Sequence, residues 1–281
     1  MHRLVPDPSR RAFLQQLAAL GVIAALPGRA FAGLGDSVSI KLRNPEATRL
    51  LNPALTQESY WSGASTSKFT DQLYDEIRLK EINSGYLALI TGEGDQDFTI
   101  PDVARTVFDH QDKLSRHMDG AKAVPRLASG TDPTFGVPYC DRYMLADMTA
   151  FYAEYFQRMY RFDLSDGRAV LAYEKIQTSW LDATTLARYQ QVRSDTLARV
   201  SLRSVFGSVV EFTDSFGMFV VSKGSTRATR VTLVASLTFG EGTGMIAQMG
   251  SKMPMVLKAG LKSGFDASVA VARHVSSGKY R

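Results

Sequence analysis

The clearest pattern in the chain is the alternation of apolar and polar residues over Thr229–Phe239. A period of two is typical of a β-strand with one buried and one solvated face. Upstream, residues 209–214 and 218–223 flank Ser215-Phe216-Gly217, a three-residue connection with glycine where a turn needs a positive φ. This part of the chain therefore predicts an antiparallel meander of three strands.

A long helix is predicted over residues 245–274, after a glycine-rich break at residues 240–244. Apolar residues recur there at intervals of three and four and form one stripe, which contains Met249, Met253, Leu257, Gly260 and Leu261. Such a stripe is most often ordinary core. Methionine fills irregular space and glycine leaves room beside the backbone, so the stripe is also a candidate cavity wall.

The most distinct hairpin joins residues 151–164 to residues 168–177 through a three-residue loop. The loop length sets a register that places four pairs on one face: Phe162 with Val170, Tyr160 with Ala172, Arg158 with Glu174, and Phe156 with Ile176. Arg158 and Glu174 are the charged residues of this face and are predicted to meet as a cross-strand ion pair. The pair is either exposed at a sheet edge or faces inward as the polar anchor of a cavity.

The remaining segments predict a strand over residues 86–91, a helix over residues 101–118 opened by Pro101, and a strand over residues 121–127. Residues 33–84 are interpreted as a polar, partly helical lead-in, with a helical stripe over residues 68–82. Residues 180–204 fit either a helix or a loop. The ligand-binding domain is therefore placed at residues 85–276, followed by a short tail at residues 277–281.

Residues 1–32 carry the three parts of an export signal in order. Arg10 and Arg11 form a twin-arginine motif, an apolar run too short to span a bilayer follows, and Ala30 and Ala32 form an A-x-A cleavage pattern. This segment resembles a Tat signal peptide. The resemblance implies export of the folded protein to the periplasm, with cleavage after Ala32.

Composition excludes some classes of partner. Of 281 residues, 44% are hydrophobic and 22% charged, as in ordinary globular domains. The net charge of +5 falls to +2 without the leader, which holds four arginines and one aspartate, so no nucleic-acid partner is predicted. Cys140 is the single cysteine and makes no intramolecular disulfide. It is expected to be buried, with a reactive thiol as the alternative.

The order of strand, helix, antiparallel strands and long carboxy-terminal helix resembles the helix-grip fold of the START-like (SRPBCC) superfamily, which includes lipid-transfer and polyketide cyclase-like proteins. Residues 98–109 resemble its strand-to-helix entry, and residues 245–274 resemble its terminal helix. The resemblance implies an α+β fold in which a curved antiparallel sheet wraps the long C-terminal α-helix around an apolar cavity. A charged pair inside the cavity is a feature of that superfamily, which draws attention to Arg158 and Glu174.

The first functional hypothesis is an exported periplasmic protein that binds or transports a hydrophobic small molecule, such as a lipid, a sterol-like compound, a quinone or a polycyclic compound. It requires no cofactor and no metal, and a membrane-associated transport partner is expected. The predicted ligand-binding residues are those of the hairpin and the helical stripe: Arg158, Glu174, Tyr160, Phe162, Met249, Met253, Leu257, Gly260 and Leu261.

Two alternatives stay open. The first is a cyclase- or hydrolase-type enzyme that uses the same cavity, for which the acid–base candidates are His110, His117, Arg158, Glu174 and Glu211. The chain contains no G-x-S-x-G, H-E-x-x-H or dinucleotide motif, and no residue is assigned as catalytic. The second alternative is an interaction module in which residues 33–84 form a docking arm.

Overall fold

The structure is a computed structural model, and it describes residues 40–68, 76–82, 85–94, 104, 108–117, 121–147, 152–165, 167–200, 209–223, 229–239, 267, 270–271, 274–275 and 277–279. The export-signal residues Arg10, Arg11, Ala30 and Ala32 lie outside these ranges. So do the predicted cavity-wall residues Met249, Met253, Leu257, Gly260 and Leu261.

Ten strands in the described residues form one curved sheet. They are β1 (Ser65–Lys68), β2 (Glu76–Ile82), β3 (Gly85–Gly94), β4 (Ala121–Ala123), β5 (Arg126–Thr131), β6 (Pro138–Asp147), β7 (Tyr152–Asp163), β8 (Ala169–Lys175), β9 (Val209–Lys223) and β10 (Thr229–Phe239). The order is β1-β2-β3-β10-β9-β8-β7-β6-β4, and β5 also pairs with β6. Neighbours are antiparallel, and β7 makes an additional short parallel pairing with β9.

Two α-helices are described over their full length: α1 (Pro45–Thr56) and α2 (Ala183–Arg199). Three short 3₁₀ helices cover Glu58–Trp61, Gln111–Arg116 and Thr178–Trp180. No described helix is long and apolar enough to cross a membrane.

The two faces of the sheet pack against different material. One face carries two apolar clusters, one beneath α1 and one beneath α2; we call it the helix-covered face. The other face carries a third cluster, which extends from Ile77 on β2 to Cys140 on β6 and includes Ala104 and Phe108; we call it the opposite face. Successive residues of a strand alternate between the two faces.

Helix α1 begins at Asn44-Pro45, a dipeptide that from the sequence alone also fits a turn. The side chain of Asn44 accepts hydrogen bonds from the backbone N–H groups of Glu46 and Ala47, and Pro45 occupies the first turn, where its missing N–H has no consequence. Five buried residues on one side pack this helix against the sheet: Ala47, Leu50, Leu51, Ala54 and Leu55. Asn52 and Pro53, a dipeptide that from the sequence favours a break, lie inside the helix.

The predicted lead-in is part of the sheet domain. Residues 76–82 form strand β2, paired with β3, so the helical interpretation is wrong for them. Their charged residues at alternate positions are buried: Arg78 and Glu76 are each at least nine-tenths covered and hydrogen-bond to each other. A docking arm separate from the domain is not observed in residues 40–68 and 76–82.

The hairpin and its register are confirmed. Leu164 donates its backbone N–H to the carbonyl of Arg168, and Arg158 lies opposite Glu174 as predicted. The segment left open at residues 180–204 contains α2, which is capped by Asp182 through the backbone N–H of Thr185 at 2.9 Å.

The predicted turn at Ser215-Phe216-Gly217 is wrong, because β9 continues through it. Gly217 lies directly opposite Tyr173 on β8. A Cβ at Gly217 would lie 2.5 Å from the Tyr173 hydroxyl. Glycine is therefore needed here because the Tyr173 ring lies against the backbone, and not because the chain turns.

Gly217→Ala is therefore expected to destabilise the protein by about 1–3 kcal/mol, because the buried ring of Tyr173 must move. Urea unfolding measures the change. In a Tyr173→Leu background, where the ring is absent, the same substitution should cost less than half as much. An equal cost in both backgrounds would contradict this packing.

Strand β10 is confirmed, but its polar face is not solvated. Thr232 and Ser236 are almost fully buried, together with Val234 on the same face, because α1 covers this side. Of the predicted terminal helix, only Ala267, Ala270, Val271 and His274 are described; they are helical, as is Val275 just after it, and Ala267 and Val271 are fully buried.

Candidate functional site

The opposite face is mostly apolar, and a group of buried polar residues lies on it at β6 and β7, next to Lys175 of β8, which is opposite Gln157. Cys140, Met159 and Tyr173 belong to its apolar cluster and lie in cross-strand register. Arg142, two residues from Cys140, and Gln157, two residues from Met159, therefore point to the same side. Arg142 and Gln157 are also directly opposite each other.

Arg142 is the largest polar side chain of this group and is 1% exposed. Its Nη2 donates to the backbone carbonyl of Phe108 at 3.2 Å. Its Nη1 is buried and has no hydrogen-bond partner among the described residues. Burial lowers the pKa of the guanidinium to about 10, so the group is charged at neutral pH but its charge is disfavoured.

Gln157 and Tyr155 extend the polar group along β7. The side-chain amide of Gln157 donates to the Tyr155 hydroxyl at 2.8 Å, and both residues are buried. The Tyr155 ring meets Phe212 edge-on, with ring centroids 5.2 Å apart. Burial raises the pKa values of both Tyr155 and Tyr173, so these phenols are neutral hydrogen-bonding groups at physiological pH.

Around this polar group the opposite face is continuous and apolar. Cys140 is fully buried with a free thiol, as expected from the sequence. The other residues of the cluster are Ile77, Leu79, Ala88, Ile90, Ala104, Phe108, Met159, Ala169, Leu171, Tyr173, Phe219, Val221, Leu233 and Ala235. A mostly apolar surface with a few placed polar groups is the usual composition of a small-molecule site.

The predicted anchors Arg158 and Glu174 lie on the other side of the sheet. With Asp141 they form a row of charges across three adjacent strands, between the clusters under α1 and α2. Tyr160 and Phe162 also lie on this helix-covered face, packed in the α1 cluster. The alternation predicted from the sequence is right, but this face is the one that the helices cover.

The predicted ion pair between Arg158 and Glu174 is wrong, because each has other partners. The Nε and Nη2 atoms of Arg158 each donate to a different carboxylate oxygen of Asp141 at 2.7 Å, and Nη1 donates to Asp132 at 3.3 Å. Burial opposes the charge of Arg158, but the hydrogen bonds and charge of Asp141 outweigh it and raise the pKa. Its guanidinium also stacks over Tyr139, 4.2 Å from the ring centroid.

Glu174 fastens the start of α1 to the sheet. Its carboxylate accepts from the backbone N–H groups of Arg43 and Asn44 at 3.1 and 2.8 Å and from the Tyr160 hydroxyl at 2.8 Å. Burial raises the pKa of Glu174 against these hydrogen bonds. Its contacts are thus with backbone and Tyr160, and they hold the amino-terminal segment in place.

Apart from Arg158 and Glu174, which lie opposite each other, the acid–base candidates from the sequence are not brought together. His117 stacks on His274, with ring centroids 4.8 Å apart, and burial and the neighbouring His274 lower its pKa. Glu211 is exposed and pairs with Lys175 at 2.8 Å. No group of three His, Cys, Asp or Glu residues with metal-binding geometry occurs in the described part of the chain.

A surface depression of about 310 Å³ lies between the 3₁₀ helix Gln111–Arg116, residues 122–125 and the last turn of α2. Charged and apolar groups line it in similar measure, among them Lys122, Arg199 and Val124. It is open to solvent and separate from the polar group around Arg142 and Gln157.

Solved structures with the same fold give the class. A STAR-related lipid transfer protein from Xanthomonas axonopodis superposes with a TM-score of 0.50 at 12% identity, covering 76% of this chain and 99% of that one. Human STARD10 superposes with a TM-score of 0.51 at 7% identity, covering 84% of this chain and 83% of that one. No family model and no curated sequence matches the chain.

The chain therefore has a START-like helix-grip fold of the SRPBCC type. The resemblance stated from the sequence is confirmed at the level of the fold. At these identities the comparison establishes architecture, and function has to be argued from the site.

Arg142 is the site residue that sequence reasoning missed. The sequence analysis predicts no strand between residues 127 and 151, because the prolines and glycines of residues 130–138 favour a loop. The available signal was weak: Tyr139, Tyr143 and Leu145 share one parity, which Asp141 interrupts. With β6 recognised, Cys140 and Arg142 fall on the face opposite to that of Asp141.

Proposed function

We propose that this protein binds and carries a hydrophobic small molecule against the opposite face of its sheet. The observation that carries the proposal is the buried polar group of Arg142, Gln157 and Tyr155 within a mostly apolar face. A buried guanidinium nitrogen without a partner is costly in a closed core. It is useful where a ligand completes the hydrogen bonding.

The fold supports the same conclusion by analogy. The superposed Xanthomonas protein is named a STAR-related lipid transfer protein, and its fold is shared over 76% of this chain and 99% of that one. A long C-terminal helix over residues 245–274, with Met249, Met253, Leu257, Gly260 and Leu261 on its stripe, would supply the wall facing the sheet. We therefore place the ligand on the face of Met159 and Tyr173, and not against Arg158 and Glu174 as the sequence predicted.

Binding is tested with the neutral apolar dye N-phenyl-1-naphthylamine and delipidated mature protein. We expect a saturable rise in dye fluorescence, with a dissociation constant of order 1 μM, about −8 kcal/mol. Bound dye should be released over the same urea range in which the native structure is lost. Fluorescence that rises without saturation, or that persists in unfolded protein, would contradict the proposal.

We further propose export by the twin-arginine route and delivery of the ligand in the periplasm, with a membrane-associated partner. The support is the order of Arg10-Arg11, apolar run and Ala30-Phe31-Ala32. The double substitution R10K/R11K is expected to abolish export, leaving a cytoplasmic chain that retains its leader. Mass spectrometry of periplasmic and cytoplasmic fractions reads this out; mature periplasmic protein from the variant would refute the route.

An enzyme that uses the same face remains the alternative. Its candidates would be the neutral phenols Tyr155 and Tyr173 and the charged Arg142, instead of His110 or Glu211. Conversion of a bound ligand to a product of altered mass during incubation with catalytic amounts of protein would favour it over a carrier.

A further inference from the structure

The polar group on the opposite face carries one sign of charge. Arg142 is the charged residue of the group on β6 and β7; Lys175 of β8, opposite Gln157, is paired with Glu211 at 2.8 Å. Among the described residues no carboxylate lies within 4.0 Å of the Arg142 guanidinium, and Asp112, which acts on its charge, is exposed and pairs with Lys113 at 2.9 Å. The positive charge of Arg142 is therefore buried without a contacting counter-ion.

The same chain shows how a buried arginine is satisfied when its role is structural. Arg158, on the helix-covered face, contacts Asp141 through two parallel hydrogen bonds and Asp132 through a third. Even the partly exposed Arg193 of α2 contacts the carboxylate of Glu154, through Nε at 2.9 Å. Arg142 is more deeply buried than Arg158, yet its Nη1 has no described acceptor.

We propose that the ligand of this face is an amphiphile with an anionic head, a carboxylate or a phosphate, bound by Nη1 of Arg142. Its apolar body lies against Met159, Leu171 and Phe219. The inference rests on the proposed function and adds the class of ligand. A guanidinium suits both heads because its N–H groups match the spacing of their oxygens, and the head supplies the missing counter-charge.

The test compares three probes with one chain length and different heads: dodecanoate, dodecyl phosphate and 1-dodecanol. Each displaces N-phenyl-1-naphthylamine from the delipidated mature protein at pH 7. We expect at least one anionic probe to displace the dye at a concentration about tenfold or more below that of 1-dodecanol, as charge-assisted hydrogen bonds in a buried site provide. If dodecyl phosphate binds more tightly than dodecanoate, the head is a phosphate. If dodecanoate binds more tightly, the head is a carboxylate.

Arg142→Met should remove the preference, weakening the anionic probes about tenfold while 1-dodecanol changes less than about threefold. Arg142→Lys keeps a charge and should keep part of the preference. Arg126→Met is the matched control: Arg126 lies directly opposite Arg142 on β5 but is exposed, and it donates to the Asp109 carbonyl. Its loss should leave all three affinities unchanged.

Equal displacement by the three heads overturns the anionic-head inference and leaves the carrier proposal standing. Failure of the dye and of every probe to bind overturns the carrier proposal itself. If Arg126→Met and Arg142→Met lose equal affinity for the anionic probes, the effect is one of general charge. That result would refute the contact between Arg142 and the anionic head. If Arg142→Met does not fold, the inference is tested by comparing the unchanged protein with Arg142→Lys. The measured quantity is the preference of each for the anionic probes over 1-dodecanol.

Discussion

Replacing Arg158 by alanine is expected to lower the free energy of unfolding by about 3–5 kcal/mol. The substitution leaves Asp141 and Asp132, both fully buried, without the guanidinium that accounts for three of their hydrogen bonds. Asp141 would keep the Tyr189 hydroxyl at 2.7 Å, and Asp132 would keep Arg43 at 2.9 Å. The remaining partners do not replace the lost bidentate contact.

Urea unfolding at pH 7 followed by circular dichroism measures this change. Arg161→Ala on the same strand is the matched control, because Arg161 pairs with the exposed Asp163 and should cost less than about 1 kcal/mol. At low temperature, where folded Arg158→Ala persists, dye affinity should be unchanged because Arg158 is on the helix-covered face. Loss of dye binding with little loss of stability would instead make Arg158 a ligand anchor.

Replacing Arg142 by methionine is expected to have the opposite sign, raising the free energy of unfolding of the ligand-free protein by about 1–3 kcal/mol. Burial lowers the pKa of Arg142 to about 10, which corresponds to about 3 kcal/mol of destabilisation. The folded chain binds this proton less tightly than the unfolded chain does. The destabilisation is therefore fully present below about pH 10 and is relieved as the pH rises from there towards the ordinary pKa of an arginine.

Methionine has a similar reach, removes the charge and keeps the contacts of the aliphatic stem. The lost hydrogen bond to the Phe108 carbonyl offsets about 1 kcal/mol. The measurement is urea unfolding of delipidated protein at pH 7, with Arg126→Met as the control for a change of net charge. Destabilisation of more than about 1 kcal/mol in Arg142→Met would show that the guanidinium is satisfied within the chain and serves the fold.

The opposite signs expected for two buried arginines follow from their partners. Arg158 donates hydrogen bonds to two aspartates and stabilises the fold. Arg142 donates to a single backbone carbonyl, so its guanidinium can still donate to a ligand. A site that is costly without its ligand and favourable with it is typical of binding positions. Ligand binding should accordingly stabilise the unchanged protein more than it stabilises Arg142→Met.

Local patterns predicted most of the strands, with the exception of β1, β2 and β6, but they did not show which face of the sheet would be covered. The loop of three residues fixed the hairpin register, so the positions of Arg158 and Glu174 opposite each other followed from counting. Alternation assigns residues to two faces without saying which one the helices pack on. The covered face is the one on which α1 packs. From the sequence alone, Asn44-Pro45 at the start of α1 looks like a break in the chain, because the burial of the following residues is not visible there.

The error at Gly217 has a similar origin. A glycine between two apolar runs is most often a turn, and only the ring of Tyr173, distant in sequence, shows that it lies inside a strand. Arg142 was missed for the same reason, because its significance depends on the depth of β6 in the sheet. Its burial and its lack of an acidic partner are tertiary facts, which local sequence does not encode.

Native mass spectrometry of the mature protein, purified from its own host without detergent, tests the central claim most directly. We predict a mass excess over the polypeptide of a few hundred daltons or more that disappears after extraction with organic solvent. The extracted species should be an amphiphile that ionises in negative mode, and it should restore the mass excess when added back. A bare polypeptide mass, together with no saturable dye binding, would contradict the assignment of this protein as a carrier of a hydrophobic ligand.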